Sequence, residues 1–318
     1  MLKYLIILLD ESSTSYCHYD NPKTEKRLIS LENLKSGILF AMKRNLMVQF
    51  VYPSYEIPAE YQAVIETIDH VKIMPADAEN TQNADVLVID CRDVACNVSK
   101  DVSTEIIKNN PDKIFVLRTF GRDVAHNVPA IADISRLNII ITDIDKFTEQ
   151  DFESYKQWLS KLKADINKAY SNGKTPQINL LTDRILLDKM NNCNAGVENI
   201  TLAPNGEFYI CPAFYIENEQ DSIGNLKEGL NIKNPQLYKL EYAPLCRICD
   251  AYQCKRCVWL NRKTTLEVNT PSHEQCVVAH LERNTSENLL NELKPIGYFP
   301  DKEIPTINYL DPFTTINN

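Results

Sequence analysis

Six short runs of consecutive apolar residues, rich in β-branched side chains, punctuate the first half of the chain at positions 4–9, 47–52, 71–74, 86–90, 114–118 and 138–142. They are continuous rather than alternating, which is the pattern of parallel strands covered on both faces. Between them, at 31–44, 59–69, 103–109 and 148–170, apolar residues recur at three- and four-residue steps, the signature of helices with one buried stripe. Ser30, followed by Glu32 and Asn33, offers an N-cap and an acidic first turn to the first helix. Thr148, followed by Glu149 and Asp151, does the same for the last. Strands alternating with helices predict an α/β fold, either an open parallel sheet or a partial (βα) barrel.

The pattern breaks at Ser171-Asn172-Gly173-Lys174-Thr175-Pro176, a turn-rich cluster. This divides the chain into an α/β domain at 1–175 and a smaller, irregular α+β domain at 176–318. The second part offers extended pieces at 200–203 and 207–210 and helices at 235–242 and 286–293, followed by a proline-containing tail read as packed or draped coil. No repeat of fixed period runs through the chain, so a solenoid is disfavoured.

Charge removes one class of function. With 34 Lys+Arg against 43 Asp+Glu, the formal charge is −9, which argues against a nucleic-acid partner. Only 8 glycines are present, and neither G-x-x-x-x-G-K-[ST] nor G-x-G-x-x-G occurs, so the two glycine-rich phosphate cradles are missing. The apolar run at 4–9 is too short for a signal segment or a membrane span. The expectation is a cytoplasmic chain with no membrane partner, whose thiols sit in a reducing compartment and serve as ligands rather than disulfides.

The cysteines then carry the chemistry. Of ten, seven fall between Cys193 and Cys276: Cys193, Cys211, Cys246, Cys249, Cys254, Cys257 and Cys276. Each C-x2-C pair sets two thiolates on one tight turn, as zinc knuckles and iron–sulfur sites both require. In the common four-cysteine zinc site about 15–20 residues separate the two pairs. Here only four lie between Cys249 and Cys254. So compact a run more naturally divides its thiolates between two centres, one of four ligands and one of three. Arg247, Lys255, Arg256, Arg262 and Lys263 surround it against Asp250 alone, a local positive charge that favours thiolates.

Cys193, Gly206 and Cys211, then Cys246-x2-Cys249-x4-Cys254-x2-Cys257, then Cys276, resemble the SPASM domain that binds two auxiliary [4Fe–4S] clusters in radical SAM peptide-modifying enzymes. Asn205-Gly206, Cys211-Pro212 and Ile223-Gly224-Asn225-Leu226 belong to the same resemblance. The internal spacings of four and two stand where the family usually has five and three. The resemblance implies one cluster on Cys246, Cys249, Cys254 and Cys276. It implies a second on Cys193, Cys211 and Cys257, one ligand short and completed by an upstream group, by a substrate atom, or left open.

Radical SAM enzymes also carry C-x3-C-x2-C in the loop after the first barrel strand, where this chain has Cys17 only. Lys3-Tyr4-Leu5-Ile6-Ile7-Leu8-Leu9-Asp10, Ser15-Tyr16-Cys17-His18-Tyr19 and Gln49-Phe50-Val51-Tyr52-Pro53 give the whole chain a resemblance to the CXXX repeat peptide maturase family. It implies a degenerate radical SAM core and a component that matures a ribosomally made, cysteine-repeat precursor peptide beside a true radical SAM enzyme. The missing loop argues against S-adenosylmethionine cleavage by this chain alone. Two alternatives stay open: a zinc-stabilised peptide-binding or scaffold module without a redox role, and a stand-alone peptide-modifying enzyme.

Other residues carry less. Cys17, His18, Cys91 and Cys96 follow strand ends, where α/β folds place ligands, but idle or buried thiols are commoner than a third site. His273 and His280 flank Cys276 and read as packing histidines ahead of ligands. Trp259, Tyr252 and Tyr242 are expected to shield the clusters from water. Arg118, Thr119, Asp143 and Asp145 sit at strand ends with no nucleophile–base pairing, so no chemistry is assigned to them.

Overall fold

The computed structural model describes residues 2–92, 100–129 and 131–304. In chain order the elements of the first half are β1 (Tyr4–Leu8), α1 (Leu31–Lys43), β2 (Met47–Val51), α2 (Ala59–Ile65), β3 (His70–Pro75), β4 (Val86–Asp90), α3 (Lys100–Asn109), β5 (Ile114–Thr119), α4 (Val124–Asn127), β6 (Arg136–Ile141) and α5 (Glu149–Ser171). The second half adds β7 (Gln177–Ile178), α6 (Thr182–Leu186), β8 (Asn199–Leu202), β9 (Phe208–Tyr209), α7 (Pro212–Glu217), a small hairpin of β10 (Gly224–Asn225) and β11 (Gly229–Leu230), α8 (Val258–Thr265) and α9 (His273–Leu293).

Nine strands form one sheet in the order β7-β6-β5-β4-β3-β2-β1-β8-β9. All neighbours are parallel except β9, which turns back on β8. This is the α/β architecture of a partial (βα) barrel, with helices added by the second half. All six apolar runs are strands, and both predicted caps hold. Ser30 accepts from the Asn33 N–H, and Thr148 and Asp151 form a reciprocal capping box.

Continuous apolar runs are explained by burial on two sides. Leu87, Ile89, Phe115, Leu117, Ile139 and Ile141 pack with Phe152 and Leu159 of α5 and Leu289 of α9. Their alternates Val88, Val116 and Ile140 pack with β1, β2 and α1 instead. The chain between β3 and β4 crosses over without a helix.

Two helix expectations need correction. Residues 235–242 form two 3-10 turns, Pro235–Tyr238 and Leu240–Tyr242, because Asn234 enters at φ +48° and Lys239 is extended between them. The helix expected at 286–293 begins at His273, capped by Ser272, whose side chain accepts from the Gln275 N–H. Its buried positions include Gln275, Glu282, Arg283 and Ser286, so apolar stepping along the sequence fails there.

The hairpin between β8 and β9 shows what Gly206 does. Gly206 N–H donates to Ala203 O at 2.9 Å, closing a turn with Pro204 and Asn205 at its centre, and Gly206 adopts φ +83°. A Cβ there would lie 2.5 Å from Nδ2 of Asn33 on α1. Gly206→Ala therefore meets both the left-handed backbone cost, about 1–2 kcal/mol, and a close approach between hairpin and helix. Chemical denaturation is expected to show a lowered midpoint of at least that size, whereas an unchanged midpoint would contradict the geometry.

α9 packs on α5 around a buried acid. Tyr155 O–H donates to Glu282 Oε1 at 2.7 Å. Burial raises the Glu282 carboxyl from 4.5 to about 8, although the Tyr155 hydrogen bond opposes the rise. Between those two values the unfolded chain has released the proton while the folded chain keeps it, so stability falls as pH rises through that window. Glu282→Gln removes this slope. Its unfolding midpoint should gain on the wild type from pH 4.5 to about 8 and then level off, and parallel pH profiles for the two proteins would rule out the buried neutral acid.

Candidate metal centre

β8 pairs with β1 in parallel, Tyr4 opposite Asn199 and Ile7 opposite Leu202. The segments that leave these two strands therefore emerge side by side. Cys193 precedes β8, Cys211 is the N-cap of α7 just after β9, and Cys257 is the N-cap of α8, its Sγ accepting from the Leu260 N–H at 3.5 Å. Cys276 lies in the first turn of α9.

The run 246–254 is pinned by a buried charge cluster. Asp250 Oδ2 accepts from Arg184 Nη2 of α6 at 3.1 Å and from Arg283 Nε of α9 at 2.9 Å, and all three residues are buried. An unpaired carboxylate at this depth would cost several kcal/mol, so the pairing dictates where the neighbouring thiols stand. His280 Nε2 lies 3.5 Å from Cys249 Sγ, and Cys249 Sγ accepts from the Ala251 N–H at 3.4 Å.

Burial is the largest influence on every one of these thiols and raises them all. Cys246 and Cys254 reach about 12 and Cys276 about 11, and Cys193, Cys211, Cys249 and Cys257 also rise. Cys193 does so although the residue itself is exposed at the surface. Repulsion between thiols adds to the rise and links Cys246, Cys249, Cys254 and Cys276 in one group. It links Cys193, Cys211, Cys257 and also Cys17 in another.

Between the two groups stands Arg256. It is 2% exposed, adopts φ +41°, and its Nε and Nη1 have no hydrogen-bond partner. Its guanidinium feels Cys246 and Cys254 of one group and Cys193 of the other. A buried cation with two unsatisfied donors, held in a sparsely populated backbone conformation, suits an anionic occupant on both sides. The all-thiol donor sets and this cation fit iron–sulfur clusters. Among the described residues, no three His, Cys, Asp or Glu side chains converge to hold a single metal ion.

Not all of the local positive charge serves the thiols. Arg262 pairs with Glu217 and Asp221, and Lys263 pairs with Asp145. Trp259 is buried and donates from Nε1 to Glu217 Oε2 at 2.9 Å, and Tyr252 packs with Cys246 and Cys249 beneath the Arg184 guanidinium. Tyr242 is 53% exposed, and on its 3-10 turn it is Leu240 that packs towards Cys246. His273 packs edge-on against Phe152, as a structural histidine does.

Arg118, assigned no chemistry from the sequence, is an anchor of the fold. It is 1% exposed and reaches from the end of β5 into the segment after β1, donating from Nε to Cys17 O at 2.9 Å and from Nη2 to Asp20 Oδ1 at 2.9 Å. It also bonds Asp90 and Tyr19 O. Its place at a strand end was visible in the sequence, but no local pattern showed which segment it would hold. The same segment is tied to α7, where Tyr215 O–H donates to the buried Glu11 carboxylate, and to Glu219 through Lys23. Burial raises the Glu11 carboxyl, but hydrogen bonds from Lys23, Tyr215 and Arg27 prevail and hold it below its usual value. His18 Nδ1 bonds Ile141 O at 2.9 Å, and burial lowers its imidazole to about 4, so it is neutral at pH 7.

The third site weighed for Cys17, His18, Cys91 and Cys96 falls partly outside the described residues. Cys91 packs in the hydrophobic cluster of β4–β6 and α5, Cys17 packs in the other cluster, and Cys96 lies outside the described residues. Thr119 bonds Asn127, and Asp143 accepts from the Gly121 N–H, both structural roles.

No protein-family model matches the sequence, and no curated protein shows significant similarity to it. Solved structures do match. A structure described as native anSMEcpe with bound AdoMet and Cp18Cys peptide superposes with a TM-score of 0.61 at 14% identity, covering 92% of this chain and 99% of that one. Hexahistidine-tagged anSMEcpe with bound AdoMet gives 0.60 at 14% identity, covering 92% and 98%. Native anSMEcpe with bound AdoMet and Kp18Cys peptide gives 0.57 at 13%, covering 91% and 98%. anSMEcpe is an anaerobic sulfatase-maturating radical SAM enzyme with a SPASM domain, and the likeness extends over nearly the full length of both chains. At this level of identity it establishes a common fold and nothing finer.

Proposed function

We propose that this chain is the cluster-bearing component of a peptide-maturation system. Cys246, Cys249, Cys254 and Cys276 hold one [4Fe–4S] cluster, and Cys193, Cys211 and Cys257 provide thiolates to a second. The part of the chain from residue 176 onward supplies these ligands. The substrate is a ribosomally made peptide with repeated cysteines, processed in the cytoplasm beside a true radical SAM enzyme.

The observation that carries this reading is the buried Arg256, whose Nε and Nη1 have no hydrogen-bond partner and which lies within electrostatic reach of Cys193, Cys246 and Cys254. A fold shared with a peptide-bound radical SAM structure supports the peptide as partner. Clusters of this kind supply one-electron transfer when bound. The chain's own residues do the rest. Arg256 offsets anionic charge between the sites, Asp250 fixes the turn that presents Cys249 and Cys254, and Trp259 and Tyr252 exclude water. With Cys17 as the sole cysteine between residues 10 and 22, S-adenosylmethionine cleavage falls to the partner enzyme.

Anaerobic purification with reconstitution tests this directly. About eight irons and eight sulfides per chain are expected, with broad visible absorbance bleached by reductant. Stoichiometric zinc without sulfide would overturn the cluster assignment, and 5′-deoxyadenosine formed by the purified chain alone would overturn the division of labour.

A further inference from the structure

Cys17 is the residue left over when the C-terminal thiols are divided four and three. Its position in the fold does not leave it over. The segment that carries it is anchored at three points: Arg118 Nε on Cys17 O, the Tyr215 hydroxyl on Glu11, and Lys23 Nζ on Glu219 at 2.6 Å. The last two contacts lie on α7 and just after it, and α7 is the helix that Cys211 caps. Cys17, Cys211 and Cys257 pack against one and the same hydrophobic cluster. His18, the next residue, faces Cys254, Lys255, Arg256 and Cys257 across a cavity of about 60 Å³.

We propose that Cys17 is the fourth protein ligand of the second cluster, supplied from the segment after β1 rather than from the C-terminal cysteine run. The proposal rests on the cluster reading above and changes its chemistry. On ligation each of the four thiols gives up its proton and binds one iron through sulfur. With four thiolates the cluster has no open iron, so it takes no substrate atom, and its role is confined to electron transfer and to fastening the segment after β1 onto the C-terminal part. The cysteine at the place where a radical SAM cluster would be expected then serves an auxiliary centre instead.

The test uses the full-length chain, reconstituted anaerobically, as wild type, Cys17→Ala, Cys17→Ser, Cys193→Ala and Cys249→Ala. Cys17→Ala should behave as Cys193→Ala does. After mild oxidation it should fall from about eight irons to about seven and show the paramagnetic signal of a three-iron cluster, while retaining the signals that Cys249→Ala disturbs. Cys17→Ser should keep its iron with an altered spectrum, because an alkoxide oxygen replaces sulfur. Wild-type iron content and an unchanged spectrum in Cys17→Ala would overturn the assignment.

Should the variants fail to fold, alkylation of the wild-type chain decides. Loading with iron and sulfide should protect Cys17 as strongly as Cys211 and leave the reactivity of Cys91 unchanged. Modification of Cys17 in the fully loaded chain would refute the proposal. A wild-type chain that takes up neither iron nor sulfide refutes the cluster reading itself, a failure distinct from one confined to Cys17.

Discussion

A guanidinium that is 1% exposed stays charged only if its surroundings supply the partners that water would have supplied, and Arg118 finds all of them in two places. Asp90 at the end of β4 is one. The segment after β1 is the other, through two carbonyls and Asp20. The buried charge therefore converts an irregular segment into a fixed wall of the molecule. α7, whose Tyr215 bonds Glu11, docks against that wall. Asp250 does the same on the far side with the signs reversed, a buried carboxylate gathering Arg184 and Arg283.

The sheet and its helices were legible because their signals are local. Residues 47–52 or 114–118 announce a two-sided strand by apolar continuity alone, and Ser30 and Thr148 announce helix starts by cap chemistry. α9 was legible only at its end, since Glu282, Arg283 and Gln275 are buried where a periodicity argument requires apolar residues. The turns at 235–242 were misread because a run with helical composition is broken by one extended residue, Lys239.

The candidate centre divides along the same line. Spacing within a compact run is local information, so the C-x2-C pairs pointed to two centres. That Cys17 packs against the same cluster as Cys211 and Cys257 is long-range information, to which Arg118 contributes, and no pattern of neighbours in the chain encodes it. The same holds for Arg256. Its value as a cation was visible, but its unsatisfied donors and left-handed backbone emerge only once the run is folded.

β1 joins β2 along one edge and β8 along the other, and roughly 200 residues of chain separate β1 from β8. During synthesis, Leu5-Ile6-Ile7-Leu8 must wait with one edge unpaired while that intervening chain is made, at rates that imply about 10–40 s. An apolar strand with an open edge is a template for association with other chains. The N-terminal half consequently carries an aggregation hazard that only the arrival of the C-terminal half removes. Cys17 and its distant thiol neighbours come together at that same late step.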